Sequence, residues 1–363
     1  MFGDRLKLAR KKAGLSLDAL VCAIDGAVSK QAISKYERNL MMPDSSVLMA
    51  MAKALDVSLE YLFGDQVAGL AGVDFRKTVR TSAKDRARVE ASVIDHMERY
   101  LAIEEILELE SAEWMPPILK SSQLSKIEDA EETANELRKA WDLGEDPIPD
   151  MTMLLEEYGI KVLMVKLPNS VSGMTCFAMR NDGSESLPIV VINRSHNLER
   201  RRFTLAHELA HRVISLGNQL SDADEEKAAQ RFAGAFLMHA DHLRREVGKH
   251  RDKFGYKEVI YLKRMYRVSA AALVMRLQQI GIIAKSTLST IFQTVGRTWR
   301  RVEPEPLESA ENQGRFEQPK RFKRLGLWAL AEEYISPLKA MELLQVSSED
   351  IRLAMAGPNE SYR

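Results

Sequence analysis

The sequence predicts a mainly α protein with a small β-sheet, an α+β chain of more than one domain. Three observations predict it. The first 65 residues hold five short helical segments punctuated by caps and turns, and three β-rich runs follow one another between Ile160 and Asn193. The third is the helix-periodic stretch from Phe203 to Val213, which carries two histidines and a glutamate. At 363 residues the chain is long enough for two or three domains. Boundaries are expected at 1–66, 67–120, 121–284 and 285–363.

Composition bounds the function classes. The chain is 45% apolar and 29% charged, with 52 Lys and Arg against 52 Asp and Glu, so any nucleic-acid contact must be local. No apolar run approaches the roughly 18 to 20 residues that span a bilayer. Met1-Phe2-Gly3-Asp4-Arg5 opens into charged helix without a signal-peptide core, which predicts a cytoplasmic protein with no membrane partner. Cys22 and Cys176 are far apart without C-x-x-C spacing, and both are expected to be buried small hydrophobes.

The N-terminal elements follow from their caps. A helix over Arg5 to Lys12 ends at Gly14; Ser16 caps a second, which Asp25-Gly26 terminates; Ser29 caps a third. In that third helix Ile33 and Tyr36 face a core, leaving Lys30, Gln31, Ser34 and Lys35 outside. Amide, hydroxyl and cationic groups on one exposed helix are what major-groove readout requires, with Ser29, Arg38 and Asn39 placed to hold phosphates. Together with Leu40-Met41-Met42-Pro43-Asp44 and the closing stretch from Ala54 to Gly64, the segment resembles the Cro/CI-type (XRE) helix-turn-helix family over about residues 5 to 64. The resemblance implies sequence-specific binding of a double-stranded DNA operator by a homodimer. The turn at Ile24 to Val28 is longer than the family's. Residues 1 to 65 hold nine Lys and Arg against eight Asp and Glu, so affinity must come from placement.

From Val73 to Glu113, apolar residues at helical spacing among charges predict a helical connector that Trp114-Met115-Pro116-Pro117 breaks. A further amphipathic helix runs from Ile127 to Trp141. Strands are expected at Ile160–Val165, Met174–Met179 and Leu187–Asn193, and an edge strand there would align an extended peptide.

Phe203-Thr204-Leu205-Ala206-His207-Glu208-Leu209-Ala210-His211 follows these strands. On a helix, His207 and His211 project from one face one turn apart and can hold Zn²⁺, while Glu208 can reach its water. Leu205, Leu209 and Val213 supply the buried stripe. The helix at Glu128 to Trp141, Leu154 to Ile160, Ser172-Gly173, Val190 to Asn193, Arg201 to His211 and Glu225 to Met238 together resemble the ImmA/IrrE-type metallopeptidases, and Met265 to Ile283 resembles the helical tail of that family. Ala229-Gln230 and Met238-His239 depart from the family's usual pairs.

The resemblance implies a zincin-like domain. Peptide-hydrolysing sites keep three protein ligands, and no third histidine follows His211 at metzincin spacing, so a carboxylate on a second helix is expected. Glu226 stands where the gluzincin pattern places it; Glu225 is the alternative, with Asp222 and Asp224 read as helix caps. Glu208 is then the general base. His239 and His242 are oxyanion candidates, each also readable as a surface histidine near a helix end. Ile335 to Ser347, with Ser336 as N-cap and Pro337 at N1, is expected to pack or oligomerise.

Three functions stay open at this point. One is a DNA-binding transcriptional regulator whose zinc peptidase domain cleaves a repressor or antitoxin-like protein, or its own chain, in response to stress or a mobile-element signal. Another is a non-enzymatic repressor or antitoxin whose metallopeptidase-like domain is a sensor or partner-binding module, against which the intact Glu208 counts. A third is a standalone peptidase with a docking helix-turn-helix.

Overall fold

The computed structural model describes residues 2–57, 59–64, 67–72, 83–110, 114–168, 171–181, 183, 185–217 and 220–356. Chain order begins with α1 (Phe2–Lys12), α2 (Leu17–Ala23), α3 (Lys30–Glu37), α4 (Ser45–Leu55), α5 (Leu59–Phe63), β1 (Val67–Ala71) and α6 (Ala83–Ile106). It continues through β2 (Gln123–Leu124), α7 (Ala130–Ala140), α8 (Met151–Glu157), β3 (Lys161–Val165), β4 (Gly173–Arg180), β5 (Leu187–Asn193) and α9 (Leu198–Val213). The remainder is β6 (Ser215–Leu216), α10 (Asp222–Leu237), α11 (Ala240–Val247), α12 (Tyr256–Tyr266), α13 (Ala270–Gln279), α14 (Lys285–Gln293), α15 (Arg321–Ala331), α16 (Pro337–Leu344) and α17 (Ser348–Ala356). The chain is mainly α with a small mixed sheet, in strand order β1-β4-β5-β3. Residues 73–82 and 111–113 of the expected connector, and Asn169, Ser170 and Asp182 of the expected turns, lie outside the described residues.

Two compact units emerge. The first comprises Met1–Glu113, Cys176–Ile189 and Pro319–Arg363. Ser16, Ser29 and Asp44 each accept a backbone N–H three residues on, so α2, α3 and α4 start where their caps stand. Leu6, Leu20, Ile33, Tyr36, Met51 and Leu62 close a core beneath them. Helix α6 is tied to α1 by charge, with Arg5 paired to Glu98 and Lys12 Nζ 2.5 Å from Asp95 Oδ2. Farther along α6, Tyr100 and Ile103 pack with Phe322, Leu325 and Ala329 of α15 and with Ala340 and Leu343 of α16. Ser336 caps α16 with Pro337 in the first turn, so this C-terminal segment packs within its own unit.

Two sequence expectations need correction. Strand β1, just before the connector expected from Val73, is not among the three expected strands; it pairs antiparallel with β4, Val67 opposite Arg180 and Ala71 opposite Phe177. Five residues of mostly small side chains show no alternation strong enough to mark a strand, and their partner lies over a hundred residues away. Cys176 is buried as expected, but Cys22 is exposed, because the buried stripe of the short α2 is occupied by Leu20 instead.

The second unit comprises Trp114–Thr175 and Val190–Gln318. Its core gathers Leu137, Trp141, Leu155, Ile192, Leu205, Leu209, Phe232, Phe236 and Leu273 around α9 and α10. Helix α7 is preceded by a 3₁₀ turn at Ile127–Asp129, so the predicted amphipathic helix starts later than its apolar pattern.

Candidate metal centre and nucleic-acid face

Helix α9 is fixed before its histidines begin. Asn197 caps it by accepting the Arg200 N–H at 3.1 Å. Three charged residues of its first turns point inward, each with a partner. Glu199 lies 2.8 Å from Lys263 Nζ, Arg201 forms a two-pronged pair with Glu308 at 2.7 and 2.8 Å, and Arg202 pairs with Glu317 while donating to the Ile148 carbonyl at 2.7 Å. The two arginine pairs bind the segment around Glu308 and Glu317 to α9, and Lys263 ties α12 to it. Bidentate guanidinium–carboxylate geometry fixes orientation as well as position.

Helix α10 starts with a reciprocal box in which Ser221 and Asp224 satisfy each other's backbone donors, so Ser221 rather than Asp222 or Asp224 is the N-cap. Ala206 and Ala210 of α9 and Ala228, Ala229 and Ala233 of α10 are all buried. Short side chains at these positions let the two helices approach closely, and Glu226 thereby reaches the histidines.

The resulting geometry is tight. His207 Nε2 lies 3.3 Å from His211 Nε2 and 3.3 Å from Glu226 Oε2, and His211 Nε2 lies 3.5 Å from Glu226 Oε1. One ligand atom from each of the three residues falls within a 4.8 Å cluster. Tetrahedral zinc with bonds of about 2.0–2.1 Å holds neighbouring ligand atoms roughly 3.3 Å apart, a spacing that the two Nε2 atoms match and that each histidine meets at a different Glu226 oxygen. The far nitrogen of His211 is also engaged: Nδ1 lies 2.9 Å from Glu225 Oε1. With its proton on Nδ1 donated to Glu225, the ring presents the Nε2 lone pair to the cluster. Glu225 therefore sits behind a histidine, where a carboxylate orients the ring.

Glu208 is buried at 8% exposure, immediately after His207. The start of β4 comes close to it. A Cβ at Gly173 would stand 3.6 Å from Glu208 Cγ, 2.8 Å from the Val191 carbonyl oxygen and 2.5 Å from Thr204 Cγ2. The start of β4 thus lies against the motif, whereas the edges of the sheet are β1 and β3.

The two downstream histidines have other partners. His239 caps α11 by accepting the Asp241 N–H at 3.3 Å, and His242 Nδ1 lies 2.5 Å from the Tyr266 hydroxyl. A second group of Glu145, His239 and Asp241 is also close-set, but Arg245 pairs with Glu145 and Arg244 holds Asp241 at 2.9 Å. Each of those two carboxylates thus has an arginine partner.

On the first unit, Lys30, Gln31, Lys35 and Arg38 are exposed and Ser34 is half-buried, while Ile33 and Tyr36 are buried. Ser29 serves as the α3 cap. Lys30 Nζ is 2.7 Å from Asp18 on α2, with both side chains largely in water. Arg38 Nε reaches the Ser34 carbonyl at 3.2 Å. Asn39, at φ +55°, turns the chain after α3, and its side-chain Oδ1 accepts the Gly3 N–H at 2.7 Å. Its carbonyl oxygen is part of the fold.

Sequence reasoning missed Glu225 as a ring partner and the anchors Arg201, Arg202 and Lys263. The run Glu199-Arg200-Arg201-Arg202 reads as an ordinary charged helix start, and the partners of Glu199, Arg201 and Arg202 lie 64, 107 and 115 positions away.

With this geometry in place, comparison with known families adds two matches. Residues 155–278 match the family model described as the IrrE N-terminal-like domain, a peptidase family, and residues 6–62 match that described as a helix-turn-helix. No curated protein matches the chain. The chain thus joins an XRE-type helix-turn-helix to an ImmA/IrrE-type domain. The helix-turn-helix match points to a DNA-binding regulator and the IrrE-type match to a metallopeptidase-like domain; His207, Glu208, His211, Glu225 and Glu226 all fall inside the IrrE-type match.

Proposed function

We propose that this protein is a DNA-binding regulator that carries a zinc-dependent peptidase, with His207, His211 and Glu226 as metal ligands, Glu208 as general base, and a repressor or antitoxin-like protein as substrate. The observation that carries it is the three-way approach of two imidazole nitrogens and a carboxylate at zinc-ligand spacing, with Glu225 behind one ring. Zinc held there supplies Lewis acidity toward a scissile carbonyl. Glu208 takes the proton of the attacking water on its carboxylate and returns it to the leaving amine nitrogen; burial keeps bulk water from competing for that proton. Helix α3 supplies the DNA contacts. Gln31, Ser34 and Lys35 read base edges and Lys30 and Arg38 meet phosphates, as a pair of copies across a two-fold operator.

Metal analysis of the full-length protein is the direct test. About one zinc per chain in wild type, lost in His207→Ala and Glu226→Ala and kept in Glu208→Gln, is the expected result. A wild type that takes up no zinc on reconstitution overturns the peptidase reading. New protein N-termini in cells expressing wild type but not Glu208→Gln would then identify the substrate.

A further inference from the structure

The second unit holds a cavity of about 550 Å³ lined by parts of α9, α10 and α13. Phe203 of α9 and Gln230 of α10 both line it. Phe203 is four residues before His207 and Gln230 four after Glu226, so each lies one helical turn from the metal cluster on the same face of its helix. A peptide whose scissile bond sat at the cluster would bring a neighbouring side chain one helical turn along, toward Phe203 and Gln230.

The lining has a distinct chemistry. Phe203, Trp299 and Met275 give it apolar walls, and Arg200, Arg300 and Arg301 stand around them. All three arginines are exposed. Among the described residues, no carboxylate lies within salt-bridge distance of any of them; Arg200 donates to the Ser172 hydroxyl at 2.8 Å, and the Arg300 guanidinium lies 4.7 Å from the Phe292 ring. The carboxylates in the wall are already committed, because Glu199 and Glu303 both lie 2.8 Å from Lys263 Nζ. Arg276, also in the wall, is paired with Glu131 at 2.8 Å. The charge left available to a visitor is positive.

We infer that this cavity is a substrate subsite beside the scissile bond and that it accepts an acidic side chain, Asp or Glu, within an otherwise apolar segment. The inference rests on the peptidase reading above. A guanidinium cluster binds a carboxylate by paired hydrogen bonds, and the apolar walls beside it take the residues that flank the acid. Exposed ion pairs are weak, so selection of roughly 2- to 5-fold for acidic over basic residues is expected, weakening in high salt.

The test uses the full-length Glu208→Gln protein, zinc-loaded and immobilised, to select from a randomised peptide library, beside the same protein carrying Arg300→Glu and Arg301→Glu. Enrichment of Asp and Glu that disappears or reverses in the triple variant supports the inference, with a matching thermal midpoint showing that the variant is folded. Absence of charge preference, or a preference that survives both substitutions, overturns it. So does a result in which these substitutions weaken DNA binding and leave peptide selection unchanged. Cleavage of the same library by wild type separates the two readings. No Glu208-dependent cleavage alongside retained acidic selection overturns the peptidase and leaves an acidic-peptide site; cleavage without acidic preference overturns the subsite alone.

Discussion

His211 is held at both ring nitrogens, with Glu225 at 2.9 Å from Nδ1 and the cluster facing Nε2. A partner behind a ligating histidine fixes its tautomer and raises its basicity, and removing one costs about 10- to 100-fold in metal affinity. Glu225→Gln is therefore expected to bind zinc at the wild-type stoichiometry but that much more weakly, read by competition with a chelator of known affinity; an unchanged affinity would make Glu225 a bystander. Gly173 sets a second residue-level limit. An added methyl would stand 2.5 Å from Thr204 Cγ2 and 2.8 Å from the Val191 carbonyl oxygen, and the backbone oxygen cannot rotate away. Gly173→Ala should destabilise the protein by roughly 1–3 kcal/mol, visible as a lower urea midpoint, and should displace β4 from Glu208.

At the scale of elements, α9 depends on charges buried inside the second unit. Lys263 and Glu199 are fully buried, with Glu303 nearly so. Burial raises the Glu303 carboxyl pKa above its ordinary value, against the Lys263 ammonium and the Ala270 N–H that lower it. Lys263→Met would leave two carboxylates without their cation at a cost of about 3–5 kcal/mol. Adding Glu199→Gln should return part of it, because one of the two orphaned charges is then gone; equilibrium unfolding of the single and double variants measures both terms. The helices themselves were legible. Caps at Ser16, Ser29 and Ser336 and the stripe of Leu205, Leu209 and Val213 are local signals that act within one turn. Strand β1 was not, because a five-residue run is a strand only once β4 pairs with it. Cys22 illustrates the same limit: a seven-residue helix does not tell from its sequence which apolar residues face inward.

For the molecule as a whole, pH acts on stability through the first unit. His96 of α6 packs 4.7 Å from the Phe322 ring. Burial and then the Arg99 charge push its pKa down to about 3, with Lys12 acting in the same direction and Asp95 opposing. The unfolded imidazole takes up its proton near pH 6.5, long before the folded one does. Its contribution is therefore intact above about pH 7 and is lost as pH falls from 6.5 toward 3, by up to about 1.4 kcal/mol per pH unit. Denaturant unfolding at pH 7 and pH 5 should show this loss, reduced in His96→Gln; an equal loss in the variant would assign the dependence to other groups.

The sequence by itself determined the class of the fold, the two modules, the three strands from Ile160 to Asn193 and the spacing of His207, Glu208 and His211. Each is set by periodicity, caps or adjacency, which a chain expresses within a few residues. Tertiary structure decided the rest. It brought Glu226 to the two histidines and Glu225 behind one of them, which two adjacent acidic residues in a helix start could not distinguish. It engaged Asn39 with Gly3, seated Arg201, Arg202 and Lys263 against distant carboxylates, and left Arg200, Arg300 and Arg301 facing a common cavity. Those choices depend on which helix faces which and how closely, and that is fixed by the packing of alanines between α9 and α10 and by ion pairs closed over about 100 residues of chain.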